Sequence, residues 1–314
     1  PSPRWTVRGG EQVPTGWKPV PPTDSLAARP NVAYRACVPR YKLTVAYDGT
    51  DFNGWQAQHP REEPGSDERI TLRTVQTVLQ EAVRSVVREE VTIVGASRTD
   101  SGVHARGQVA AFTSDPDLSI GKGWPAERGT TTLLRAVNSR LPDDVVIVGA
   151  EVVDDGFDPI IGATSKAYSY TLHITDGSDE RSLRPLWDRR YVQQLYVAQD
   201  VSRMEEAAKR LVGEHDFVSF AAMNHGRQTT VRTILDCSVR ELAPVEGARR
   251  IRIDVTGTGF LYNMVRIIAG TLVDVGRGKL SPDDIGRILD AKDRREAGPT
   301  LPPNGLCLEW IRYD

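Results

Sequence analysis

Cysteine is scarce. The 314 residues hold three, Cys37, Cys237 and Cys307, an odd number with no pair at metal-ligand spacing. That excludes a disulfide scaffold and a thiolate zinc site, and makes a reducing compartment the default. The five histidines, His59, His104, His173, His215 and His225, are scattered with no two at helical i, i+4 spacing, so no metal site is expected from them. No apolar run reaches the roughly 20 residues of a membrane span. The most apolar helical stretch, Phe260 to Val275, is interrupted by Asn263, Arg266, Gly270, Thr271 and Asp274. A surplus of one charge is also missing: 42 acids face 40 Lys and Arg, a net charge of −2. This excludes a uniformly basic nucleic-acid binder and leaves room for a local basic groove, because binding answers to the local field. Gly257-Thr258-Gly259 lacks the third glycine and the following acid of a dinucleotide fingerprint.

What is present is an ordinary globular composition, 39% apolar and 26% charged, long enough for two domains. Three regions follow. Residues 1–40 carry eight prolines, with Arg4, Arg8, Lys18, Arg29, Arg35 and Arg40 against Glu11 and Asp24, and read as an extended arm. It is a tail or a remnant beside a transit peptide, so the expected compartment is cytoplasmic, with mitochondrion or plastid as the alternative. Residues 41–160 read as a first α+β half. Tyr41 to Tyr47 alternates as a strand ended by an Asp48-Gly49 turn, and a polar loop runs from His59 to Arg69. Leu72, Val75, Leu79, Ala82, Val83 and Val86 recur at helical spacing behind Thr71 or Thr74 as cap. Apolar strands follow at Val91 to Val94 and at Val109 to Phe112. Residues 161–314 repeat the grammar, with strands at Lys166–Ile174, Thr230–Leu242, Arg249–Thr256 and Leu306–Ile311. Helices are expected at Val201–Val212, Phe260–Val275 and Asp283–Ala291, the last opened by Ser281-Pro282. Two α+β halves of similar order suggest duplicated ferredoxin-like units whose antiparallel sheets join back to back, with a site in the cleft between them.

The chemistry concentrates in Gly95-Ala96-Ser97-Arg98-Thr99-Asp100-Ser101-Gly102-Val103-His104-Ala105-Arg106, set between two apolar strands. An Asp in such a turn often only bonds its own backbone. Here the loop gathers Arg98, Asp100, His104 and Arg106, and loops on rigid strands are where chemistry is usually done. An arginine beside Asp100 favours its charged form, and an ionised carboxylate can attack an electrophilic carbon. Tyr168 and Tyr170 share one strand face, as sheet aromatics or as a stacking platform for a base. Arg266 sits inside an apolar helix and needs an acidic partner there. Four arginines and a tryptophan crowd Arg181 to Arg190, and Arg249, Arg250 and Arg252 form a second basic run. These are solvated faces, or phosphate contacts if both border the Asp100 cleft.

From Tyr41 to about Ile311 the chain resembles the TruA family of tRNA pseudouridine synthases. The motifs occur in order. They are Tyr47-Asp48-Gly49-Thr50, Gly54-Trp55-Gln56, Arg98-Thr99-Asp100-Ser101-Gly102-Val103-His104, Gly107-Gln108 and Ala167-Tyr168-Ser169-Tyr170. Then come Asp216-Phe217-Val218-Ser219-Phe220, Val231-Arg232-Thr233-Ile234, Asn263-Met264-Val265-Arg266, Gly270-Thr271-Leu272 and Gly305-Leu306. The resemblance implies the pseudouridine synthase fold, α+β with two halves around a central RNA-binding cleft. It implies isomerisation of uridine to pseudouridine in the anticodon stem-loop of tRNA (positions 38–40), without metal, nucleotide or redox cofactor. Asp100 takes the nucleophile's place, attacking ribose C1′ or the uracil ring. Tyr168 would stack on the target base and assist proton removal from C5, and Arg266 would keep Asp100 charged. Arg98, Leu306, His104 and Arg232 fall at substrate-binding positions. A homodimer on tRNA is expected, with no membrane partner. An everted base is required, at a cost of a few kcal/mol that is smallest in a loop.

Three positions depart from the family pattern: Ile160, Ser169 and Ala221 each stand where an arginine is common. Their loss on an RNA face would weaken phosphate attraction. With the proline-rich arm, it motivates a second reading, a catalytically weak RNA-binding component of a ribonucleoprotein particle. A glycoside hydrolase, the third reading, needs a second acid facing the first, and the Asp100 loop has none.

Overall fold

The structure is a computed structural model that describes residues 38–60, 70–177, 183–222 and 229–314. The proline-rich arm to residue 37, most of the loop from His59 to Arg69, and Arg181 lie outside the described residues.

The strands are β1 (Arg40–Tyr47), β2 (Val94–Gly95), β3 (His104–Thr113), β4 (Val145–Val153), β5 (Ala163–Ile174), β6 (Gln193–Leu195), β7 (Gly213–Asp216), β8 (Val231–Val245), β9 (Ala248–Gly257) and β10 (Leu306–Tyr313). The helices are α1 (Val75–Val87), α2 (Thr130–Asn138), α3 (Val201–Lys209), α4 (Met264–Gly276) and α5 (Asp284–Ala291). All ten strands form one mixed sheet, in the order β4-β1-β3-β10-β5-β9-β8-β7, with β2 beside β3 and β6 beside β5. The architecture is α+β, as expected, and the sheet is mostly antiparallel.

The two strand groups are not joined back to back. The last strand, β10, lies between β3 and β5 and closes them edge to edge. It runs antiparallel to β5, with Leu306 opposite Tyr170 and Leu308 opposite Tyr168, and parallel to β3, with Cys307 opposite His104. A parallel neighbour needs a long crossover, and everything between residues 113 and 306 supplies it.

Alternation sets the two sheet faces. On β1 Tyr41, Leu43, Val45 and Tyr47 are buried, and the intervening residues are half-buried. The register carries this core face through Ala105, Leu308, Tyr168 and Val255. The helices close over that face. Thr74, rather than Thr71, caps α1: its hydroxyl accepts from the Thr77 N–H, and Val75, Leu79, Ala82, Val83 and Val87 point inward. At α5 the expected cap is reversed, because Asp284 accepts from both the N–H and the hydroxyl of Ser281 at 2.8 Å. Helix α4 packs on α3 and β5 and is buried over nearly its whole length, Arg266 being the half-buried exception. No helix among the described residues is long and apolar enough to cross a membrane.

Candidate active site

The segment 96–103 between β2 and β3 carries Asp100 and is tied down from four sides. Trp55 donates its backbone N–H to the Thr99 carbonyl at 3.0 Å. The Thr99 hydroxyl is 2.7 Å from the buried Tyr47 hydroxyl. Ser101 donates its hydroxyl to the Phe52 carbonyl, and Lys166 gives its ammonium to the Ala96 carbonyl at 2.9 Å. Gly54 permits this approach: its φ is +83°, and a Cβ there would sit 2.7 Å from the Thr99 oxygen. The strand before the loop is shorter than its apolar run suggests. Only Val94–Gly95 is paired, while Val91 and Ile93 are buried in the core.

Arg266 reaches this loop from α4. Its Nη1 stands 3.6 Å from Asp100 Oδ2, an ion pair too long for a hydrogen bond. The guanidinium spends its directional bonds elsewhere, with Nε donating to the Leu301 carbonyl at 2.6 Å and Nη1 to Asn263 Oδ1 at 2.8 Å. Burial pushes the Asp100 carboxyl above its ordinary range, and Arg266 only partly opposes the shift. The expectation that an adjacent arginine dominates is corrected here, because desolvation outweighs the ion pair. Arg98, the neighbour in sequence, is exposed and makes no ion pair among the described residues.

Tyr168 lies on the same sheet face. Its hydroxyl is 3.2 Å from the Ser97 hydroxyl, and the edge of Phe260 meets its ring at 5.1 Å and 84°. Burial pushes its hydroxyl up to about 12, so it is a phenol, not a phenolate, at neutral pH. Leu306 is buried opposite Tyr170 and continues the apolar wall. Arg232, at the head of β8, donates to the Thr229 carbonyl at 3.1 Å and lies against Gly259, in the loop leading to Phe260.

His104 belongs elsewhere. Strand β3 starts at this residue rather than at Val109, and the period of two puts His104 with Cys307 and Ser169 on the face opposite Tyr168. Its Nδ1 accepts from the Gly49 N–H at 3.0 Å, and its Nε2 donates to the Arg190 carbonyl at 2.8 Å, the pattern of a neutral ring. Burial lowers its pKa, against the pull of Asp48. Asp48 forms the expected turn, accepting from Thr50, and also accepts from the Tyr191 hydroxyl at 2.9 Å. Burial works against its charge, but these bonds hold the carboxyl below its usual range. A cavity of about 390 Å³ on this far face is lined by His104, Arg106, Ser169, Arg252 and Glu309.

In the second basic run Arg250 and Arg252 fall on the far face and Arg249 on the other, opposite Ile174, and much of the charge of both runs is consumed in ion pairs. Arg190 pairs with Asp48 and Asp51 at 3.4 Å, Arg250 with Asp188 at 2.6 Å, Arg249 with Glu241 at 2.9 Å and Arg252 with Asp254 at 2.7 Å. The expectation that both runs border Asp100 is corrected accordingly. So is that of three cations missing from one RNA face. Ser169 points away from Tyr168 and donates to Glu309 at 2.6 Å, Ala221 is buried, and Ile160 alone of the three is exposed. Among the described residues no three His, Cys, Asp or Glu side chains gather as a metal site.

A carboxylate, a guanidinium, a phenol and an apolar wall thus meet on one sheet face, with Arg98 exposed two residues before the carboxylate. The profile of the family described as tRNA pseudouridine synthase matches residues 43–155 and 207–314, more than half of the chain. The chain belongs to the TruA family of tRNA pseudouridine synthases. Curated relatives agree. It is 43% identical over 277 residues to tRNA pseudouridine synthase A of Bacillus subtilis, covering 88% of this chain and 99% of that one. It is 41% identical over 272 residues to tRNA pseudouridine synthase A 2 of Clostridium perfringens, covering 87% and 98%. For the protein of Citrifermentans bemidjiense the identity is 40% over 273 residues, covering 87% and 96%. As a member of this family the chain is an isomerase, converting uridine to pseudouridine. Sequence reasoning singled out Asp100, Tyr168 and Arg266, which the structure brings together, but not the residues that hold them, Tyr47, Ser97, Asn263 and Leu301. Only Asn263 left a trace, its i, i+3 spacing to Arg266.

Proposed function

We propose that this chain isomerises uridines in the anticodon stem-loop of tRNA, with Asp100 as the nucleophile and a homodimer as the working form. The observation that carries the reading is the half-buried Asp100 carboxylate, ion-paired at 3.6 Å by Arg266 on the face that holds Tyr168. A stacked base cannot reach it, so the target nucleotide is everted. Asp100 then attacks C1′, breaking the C1′–N1 bond, or adds to the uracil ring at C6. By either route the C1′–N1 bond breaks, the base turns, C5 bonds to C1′, the C5 proton leaves, N1 is protonated and Asp100 is released. Substrate and product share one composition, so the balance needs no co-reactant. Tyr168, a protonated phenol in the free enzyme, is assigned stacking on the base before any proton transfer from C5. Arg98 is assigned to a phosphate of the everted nucleotide, with Leu306 behind the base. Arg232, near the Phe260 loop, is assigned to the RNA backbone.

The test is tritium release from tRNA labelled at uridine C5. Wild-type protein releases tritium and Asp100→Asn does not, while both bind tRNA and melt alike. Turnover by Asp100→Asn near the wild-type rate overturns the assignment. Light scattering of the purified protein tests the dimer, and a monomeric active species refutes it.

A further inference from the structure

Arg266 can serve Asp100 only if its guanidinium is aimed. Four rotatable bonds separate it from α4, and such side chains lose up to about 2 kcal/mol of rotamer entropy when fixed. The Leu301 carbonyl fixes Nε at 2.6 Å. The second anchor is Asn263, the residue that opens α4, whose Oδ1 accepts from Nη1, the same nitrogen that faces Asp100. Asn263 is also in the left-handed backbone region, φ 61° and ψ 5°. Asparagine is among the few non-glycine residues that tolerate it. Its side chain does not cap the helix, the role an Asn at a helix start normally takes. A residue in a sparse backbone state, with its side chain turned from the cap to an arginine, marks a local arrangement held for function.

We propose that Asn263 is a positioning residue for catalysis: it holds Arg266 at the angle that lets the guanidinium face Asp100 without hydrogen-bonding it. The inference rests on the assignment of Asp100 as nucleophile. Other groups near the pair are the Tyr168 hydroxyl on β5, Tyr170 on the same strand facing Arg266, and Arg98 on the loop itself.

Two variants separate positioning from folding. Asn263→Gly keeps the left-handed backbone accessible and removes the amide. Asn263→Asp keeps an acceptor and adds a charge that competes with Asp100 for Arg266. For Asn263→Gly, kcat on tRNA falls about ten- to a hundredfold with KM within about twofold, and the acid limb of the kcat profile moves to higher pH. For Asn263→Asp, Arg266 stays anchored but its charge is shared, so the acid limb moves up with thermal stability retained. An unchanged kcat and acid limb in either folded variant overturns the proposal. So does a loss of kcat that follows loss of folded protein in both. Asp100→Asn, assayed in parallel, separates the two claims. If it is dead while Asn263→Gly matches wild type, only the Asn263 inference fails. If it turns over normally, the nucleophile assignment fails and the inference falls with it.

Discussion

Replacing Arg266 with alanine removes the cation that stands against Asp100. Two unit charges 3.6 Å apart attract by about 5 kcal/mol at an effective dielectric constant of roughly 20. The arginine keeps 16% of its side-chain exposure and the aspartate 27%, so solvent screens part of this. Roughly half, about 2–3 kcal/mol, is the reasonable net figure. In rate terms that is about a hundredfold. Burial already raises the Asp100 carboxyl, and Arg266 is the cation that opposes the shift. Without it the protonated form persists to higher pH, so the acid limb of kcat moves up and the part of the loss due to protonation is recovered as pH rises. The stability sign follows from the same shift. A carboxyl whose folded-state pKa lies above its unfolded value costs stability as pH climbs through that window. Removing Arg266 deepens the cost above the window and leaves it unchanged below the unfolded value. Loss of the bonds to Leu301 and Asn263 adds a deficit that pH does not alter. Thermal melts and tritium-release rates from acid to mildly alkaline pH read both effects. A wild-type rate with an unmoved acid limb, or a stability deficit equal at both ends, would refute the electrostatic account.

Further outcomes follow from contacts around the loop. Gly54→Ala forces a side chain into a backbone at φ +83° and against the Thr99 oxygen. It should cost about 1–3 kcal/mol in a urea titration and lower kcat by misplacing Asp100, whereas an unshifted midpoint would mean that the loop yields. Tyr47→Phe removes the buried bond to Thr99 and should cost about 1 kcal/mol, with KM for tRNA unchanged. Arg98→Ala should raise KM about five- to tenfold and flatten the salt dependence of binding by about one phosphate contact. Arg249→Ala, whose charge is spent on Glu241, should leave KM within about twofold. Equal effects at 98 and 249 would contradict the sorting of free from paired arginines.

The difference between those two arginines shows what a sequence conceals. Arg249 takes its acid from Glu241, 8 residues back in the neighbouring strand, a pairing that follows only once the β8–β9 register is known. Asp48 and Arg190 are 142 residues apart in sequence, so that acid becomes visible only in three dimensions. Local signals fared better. The strict alternation of Tyr41 to Tyr47 and the helical spacing from Leu72 to Val86 gave elements correct to a few residues, because each buries one continuous face. Arg266 was legible as a charge inside an apolar helix. His104 was misplaced because β3 carries a bulge: Gln108 lies opposite Val45 but Ala105 opposite Tyr47, which reverses the alternation and turns the histidine to the far side. Strands β6 and β7 have three and four residues, too few to show a period. The position of β10 had no local signature at all, since its two neighbours in the sheet are chosen by closure of the whole chain.

On the proposed assignment of Asp100 as nucleophile, the geometry of the carboxylate pair resolves an apparent conflict in the chemistry. A nucleophilic carboxylate must be ionised, which argues for a close cation. It must also keep an oxygen lone pair available to carbon, which argues against one. A bidentate arginine at hydrogen-bonding distance would satisfy the first need and occupy the oxygens. Full exposure would satisfy the second and surround the oxygens with water. In this site Arg266 directs its hydrogen bonds to Leu301 and Asn263 and leaves Asp100 a Coulombic contact at 3.6 Å. The net upward shift of the carboxyl is then the expected mark of a base that is poorly hydrated and incompletely neutralised, and a more basic oxygen is a better nucleophile. Shortening the pair should therefore slow the reaction even while it stabilises the ion pair. That separates this arrangement from a structural salt bridge, in which a tighter contact has no such cost.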